Sequence, residues 1–266
     1  MTNSVRDEYC SFMGTRDPFK ASEVVSRRGG AAKQPLSRDI IVAAALDLLT
    51  QEGLDGLSLR KVAAALDTGA ASLYAYVEDL QELHALLLDR ALAGVDTSRN
   101  PQQGWRARLE TLLESYYRAL SRSPGLAQLA MSTIAAGPNA LRIIEALLGL
   151  LGEAGVEQAT AAWAVDLITL YVTAIAAEQS QRRRQPDPLG TITQVVGAVS
   201  AEEYPRIHAL RHHLLSGSPV DRFTWSLEVL VKGIVQTPRP DAPAGKAVAS
   251  RKRMTPARNR SSSKKL

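Results

Sequence analysis

From Ile41 onward, apolar residues return every third or fourth position, and the chain reads as a series of helices. Ile41, Ala45 and Leu48 fall at i, i+4 and i+7, Ser37 stands where a capping hydroxyl is wanted, and Gly53 supplies a stop, which predicts a helix over 38–52. A second helix is expected over 59–66 behind Ser58, and a third, short one over 70–76. Only Asp67, Thr68 and Gly69 join them. A fourth is expected over 79–93, because Asp79 and Glu82 have capping-box spacing and Leu83, Leu86 and Leu87 continue the period. Asn100, Pro101 and Gly104 then interrupt the pattern. Beyond them, helices are expected over 105–121, 126–135, 139–153, 156–184 and 219–236. A looser stretch over 186–216 holds one short helix over 204–214. No strand pattern and no internal repeat is evident, so the expected fold is all-α, with a small N-terminal three-helix unit and a larger helical domain behind it.

Composition sharpens this picture. The 266 residues are 45% hydrophobic, enough for real cores. The apolar set is dominated by Ala and Leu, which favours helix over strand. Cys10 is the single cysteine, so neither an internal disulfide nor a cysteine metal site can form. A cytoplasmic, nucleoid-associated location is therefore expected, with no cofactor. Residues 159–177 have the length of a membrane-spanning helix and precede Arg182, Arg183 and Arg184, but Asp166 stands in the middle. A central carboxylate is costly in lipid and tolerable inside a bundle, so a buried core helix and no membrane partner are expected.

The formal charge of +5 is unevenly spread. Residues 237–266 carry a net +8 and residues 1–33 a net +2, which leaves the part between them at −5. The chain accordingly divides into a leader without fixed structure (1–34), a first domain (35–94), a second domain (95–237) and a basic tail (238–266).

Two short helices joined by a three-residue turn, with Ala63, Leu66 and Leu73 placed to lock them, are the ingredients of a helix-turn-helix, whose second helix enters a DNA major groove. An ordinary helical hairpin in a larger core shows similar spacing, so spacing alone leaves both readings open. The residues themselves go further. The run 36–39 through Leu48 and Leu49, then 52–63 (EGLDGLSLRKVA), then 70–77 (AASLYAYV), resembles the N-terminal domain of the tetracycline-repressor family over about 55 residues. More loosely, the region behind it, including Tyr204-Pro205-Arg206 and the helix from Arg222 and Phe223 to Gly233, is similar to the tetracycline-repressor type of C-terminal domain.

The resemblance implies a ligand-responsive, sequence-specific DNA-binding regulator, a repressor released from its operator by a small molecule. It places Ser58 and Arg60 near the DNA backbone and a base edge, and Arg suits a bidentate guanine contact. Ala70, Ala71 and Ser72 match the groove-facing start of the recognition helix. Tyr74 and Tyr76 match positions near phosphates, although either ring could instead be a core aromatic. Asp67 stands where the family has a turn glycine, Thr68 replaces an apolar turn residue, and Glu78 and Leu80 occupy positions where the family often has lysines.

Residues 37–94 hold four basic and nine acidic residues, a poor balance for meeting a polyanion. Arg27, Arg28, Lys33 and Arg38 are therefore expected to form an arm reaching the adjacent backbone or minor groove. The C-terminal tail is a second, less specific candidate, and solvated tails are the alternative to both. The resemblance also implies a homodimer on a palindromic double-stranded operator, with its seam in the helices over 156–184 and 219–236, where Ala174, Ile175, Phe223, Leu227, Leu230 and Ile234 are suitable. A ligand pocket is expected around Tyr116, Met131, Trp163, Asp166, Leu170 and Tyr171, with plain core packing as the alternative for each. Asp166 is the sharpest of these, because a buried carboxylate needs a partner. No GxSxG, Walker, GxGxxG or HExxH pattern is present, and His208, His212 and His213 read as surface residues, so no enzyme is expected.

Overall fold

The computed structural model describes residues 17–19, 35–184, 187 and 189–240, and everything described is helix, turn or loop. The helices are α1 (Arg38–Glu52), α2 (Leu59–Ala65), α3 (Ala70–Leu73), α4 (Leu80–Leu92), α5 (Trp105–Leu120), α6 (Pro124–Ser132), α7 (Pro138–Glu153), α8 (Gln158–Arg182), α9 (Gly190–Ala198), α10 (Pro205–Leu214) and α11 (Pro219–Gln236).

The N-terminal unit is punctuated as its sequence demands. The Ser37 hydroxyl accepts from the Ile40 N–H and the Ser58 hydroxyl from the Lys61 N–H, so α1 and α2 each begin on a capping side chain. Gly53 ends α1 at a φ of 77°, its own N–H returning to Leu49 O. Asp67 adopts a φ of 47°, the one left-handed non-glycine among the described residues, and the chain turns there from α2 into α3. Ile41, Ala45, Leu49, Val62, Leu73, Val77, Leu83 and Leu87 close the core beneath these helices.

α4 joins the two halves of the molecule. It packs on α1 at one end and on α5, α6 and α7 at the other. Two opposed caps tie it to α7. The Asp89 carboxylate of α4 accepts from the Asn139 and Ala140 N–H groups at the start of α7 (2.9 and 3.2 Å) and from Asn139 Nδ2 (2.8 Å). In return, the Arg142 guanidinium of α7 donates to Ala93 O (3.1 Å), Val95 O (3.0 Å) and the Thr97 hydroxyl, just beyond the end of α4. A carboxylate at a helix N-terminus and a cation at a helix C-terminus each complement the local dipole.

α8 is the central element of the second domain, flanked by α5, α6, α7 and α11. By length and composition it could cross a membrane, with a mean hydropathy of 1.6, yet Ala161, Val165, Ile168, Val172 and Ala176 form its buried face in the bundle. A further contact joins the halves. α6 crosses α1 where Gly125 meets Leu49, so closely that a β-carbon at 125 would lie 2.9 Å from Leu49 O.

α9 does not follow from the apolar period. Its glycines and β-branched residues are weak helix formers, and neither it nor α10 buries a residue. α3 is shorter than the expected 70–76, because the chain leaves regular helix after Leu73 and continues as turns through Tyr76.

Candidate nucleic-acid interface and ligand cavity

The turn at Asp67 carries α3 outward so that its two sides separate cleanly. Leu73, Tyr76 and Val77 are buried, whereas Gly69, Ala71, Tyr74 and Ala75 are exposed, Tyr74 at 57%. Arg60, in the first turn of α2, is also exposed, while Ser58, Ala70 and Ser72 are half-buried. Ala75 and Lys61 complete this face and were not singled out from the sequence. Ala75 offers no chemistry that a pattern could flag, and Lys61 pairs with Glu52 across the α1–α2 corner.

Two expectations are corrected here. Tyr76 is only 6% exposed, so its ring belongs to the core and not to a phosphate-facing row. Arg38 is no free arm either. Its guanidinium donates from Nε and Nη2 to Tyr76 O (3.1 and 2.7 Å), from Nη2 to Glu82 (2.9 Å) and from Nη1 to Pro18 O (2.6 Å). The Glu82 side chain in that pair is 8% exposed, which makes this an interior link between α1, α4 and the chain after α3. Arg27, Arg28 and Lys33 lie outside the described residues.

In the second domain a cavity of about 590 Å³ opens between α5, α6, α7 and α8. Tyr116, Met131, Asp166 and Leu170 line it, as expected. Ile143, Ile144 and Leu148 of α7 form its opposite wall. Tyr116 and Thr173 share a buried hydroxyl hydrogen bond of 3.0 Å, and burial pushes the Tyr116 phenol above its ordinary pKa against the opposing pull of that bond. Thr173 was missed as a site residue, although the sequence held a signal. Asp166, Thr169 and Thr173 recur at i, i+3 and i+7 in an otherwise apolar helix, which places three polar groups on one face.

Three expected pocket features are corrected. Trp163 is 58% exposed and points away from the cavity, with the Arg239 guanidinium 4.8 Å above its ring. Tyr171 stacks on Phe223 at 6.5 Å, and so fastens α8 to α11. Asp166 is exposed at the cavity edge and not buried in the bundle. Burial also divides the residues expected at a dimer seam. Leu227 and Ile234 are buried within the chain, and Trp163 and Leu167 on α8 and Trp225 and Val229 on α11 are exposed.

Comparison with known proteins agrees with this architecture. The family model described as "Bacterial regulatory proteins, tetR family" matches residues 41–78, and that described as "Tetracyclin repressor-like, C-terminal domain" matches residues 97–237. The chain is 31% identical over 215 residues to the HTH-type transcriptional repressor DrrR1 of Streptomyces coeruleorubidus, covering 76% of this chain and 78% of that protein. Among solved structures, the Streptomyces coelicor protein SCO7704 is 39% identical, with a TM-score of 0.65, over 80% of this chain and all of that one. ActR of Streptomyces coelicolor without ligand is 32% identical, with a TM-score of 0.71, over 77% of this chain and 97% of that one. The same protein in complex with actinorhodin is 33% identical, with a TM-score of 0.69, over 76% and 98%. With a helix-turn-helix presented outward, a cavity behind it and both family domains in order, the chain belongs to the TetR family of DNA-binding transcriptional regulators.

Proposed function

We propose that the chain represses transcription as a cytoplasmic homodimer bound to a palindromic operator, and that a largely apolar small molecule with one polar end releases it by filling the α5–α8 cavity. In this reading Ala71 enters the major groove and Tyr74 lies near a phosphate, while Arg60 and Ser58 approach a base edge and the backbone. Two copies of α8 and α11 form the seam through Trp163, Leu167, Trp225 and Val229, apolar side chains too large to lie open on a stable monomer without a purpose.

One observation carries the release step: the cavity wall and the hinge are the same mechanical unit. α7 presents Ile143, Ile144 and Leu148 to the cavity and is capped at its start by Asp89 of α4, while its Arg142 caps the end of α4. A ligand that displaces α7 therefore drags α4. The Arg38–Glu82 link carries that displacement into the reading head. A ligand shifts the equilibrium only through its differential affinity for the two arrangements, and a cavity walled by a coupled helix supplies that difference.

The ligand class follows from the lining. Met131, Ile134, Ile143 and Leu170 offer an apolar slot, and Asp166, Thr169 and the Tyr116–Thr173 pair offer hydrogen bonds along one edge. ActR, about a third identical to this chain, has been seen with actinorhodin, which makes that compound a sensible first probe. The test is a gel shift with the DNA upstream of the chain's own gene, at rising actinorhodin concentration. Loss of the shifted band supports the reading. A band that persists while actinorhodin quenches the tryptophan fluorescence, and so occupies the protein, contradicts it.

A further inference from the structure

We propose that the flank of α4 between Glu82 and Asp89 is a docking surface for the chain's own leader, and that Asp17-Pro18-Phe19 braces the reading domain against the effector domain. The segment touches both ends of the hinge. At the DNA end, Pro18 is buried and its carbonyl accepts a 2.6 Å hydrogen bond from Arg38 Nη1, the same guanidinium that holds Tyr76 O and Glu82. At the effector end, the half-buried Phe19 ring lies against Gly137, the N-cap residue of α7, and a β-carbon there would come within 2.7 Å of Phe19 Cε1. The same hypothetical atom would strike the Asp89 carboxylate, so Phe19 sits directly on the α4–α7 clasp. The local shape is set by the chain itself: the Phe19 N–H donates to Asp17 Oδ1 at 2.9 Å, which folds the three residues into a compact wedge.

Glu82 and Asp89 are two helical turns apart on α4, about 10 Å, and the segment bridges them by a backbone contact at one end, through Arg38, and the Phe19 ring at the other. The wedge therefore restrains α4 relative to α7 in the same place where ligand-driven movement passes. Without it, the reading head samples more orientations, and only a fraction of them fits two half-sites at once, which lowers apparent DNA affinity. This role is separate from any charge the leader supplies, because Pro18 and Phe19 are neutral. It rests on the DNA-binding reading for its consequence but not for its contact.

The experiment compares the full chain with Phe19→Ala and with a deletion of residues 1–19, which keeps Arg27, Arg28 and Lys33. Hydrogen exchange is read over residues 80–92 and 137–140 in the absence of DNA. Affinity is read by anisotropy on a duplex recovered from random DNA by the unaltered chain, at several salt concentrations. The brace predicts exchange at least threefold faster in both segments, with DNA binding at least threefold weaker and an unchanged salt slope for Phe19→Ala. Unchanged exchange in both segments overturns the docking, whatever the DNA result. Faster exchange with unaltered affinity overturns the brace while leaving the DNA reading intact.

Discussion

At the turn between α2 and α3, Asp67 holds a φ of 47° where a glycine would be unstrained. Replacing it with valine, which resists that region, should cost about 1–2 kcal/mol in chemical denaturation. The two tyrosines that follow have opposite fates. Tyr76→Ala should cost about 3 kcal/mol of stability, since its ring is core. Tyr74→Ala should leave the melting temperature alone and weaken DNA binding by about tenfold, the size of one hydrogen bond to a charged phosphate. Sequence separated neither residue from the other, because both are aromatic and stand two positions apart. The departure from regular helix after Leu73 decides which one turns inward. Asp67 was legible as a turn residue because Asp tolerates the left-handed region better than most.

At the scale of elements, the α4–α7 clasp is where packing becomes regulation. Asp89→Ala removes the cap of α7 and should cost about 1 kcal/mol of stability. Its larger effect should be on coupling: ligand binding, read by tryptophan fluorescence, persists while ligand loses most of its power to release DNA. His84 on α4 adds a pH dependence. Burial lowers its pKa against the pull of Asp79, and its Nε2 has no hydrogen-bond partner. The folded state thus binds a proton less readily than the unfolded chain, so stability should fall as pH drops below about 6.5 and level off once the folded pKa is passed. The melting temperature should decline between pH 7 and pH 5.5, and His84→Gln should flatten that decline. Helix existence and caps were readable from the apolar period, Ser37, Ser58 and Asp79. The clasp was not, because Asp89 and Arg142 are 53 positions apart in sequence and each alone reads as a solvated surface charge. α9 was hidden for the opposite reason, having neither propensity nor a buried face to mark it.

The chain as a whole pairs an acidic middle, residues 34–236, with two basic termini, so attraction to DNA has to come from few groups. That division was visible in the sequence, and it explains why net charge alone says little about the reading head. Asn100, Pro101 and Gly104 break the helical period near the start of the span matched by the C-terminal family model, residues 97–237. The outward presentation of α3 is the claim on which everything else depends, and Ala71 offers the most direct measurement of it. Ala71 is exposed on a short helix whose one buried side chain is Leu73, so its replacement leaves the core in place. Anisotropy of a duplex recovered from random DNA should show Ala71→Glu binding at least thirtyfold more weakly than the unaltered chain, with the same melting temperature. Equal affinity for the two proteins on that duplex would contradict the account.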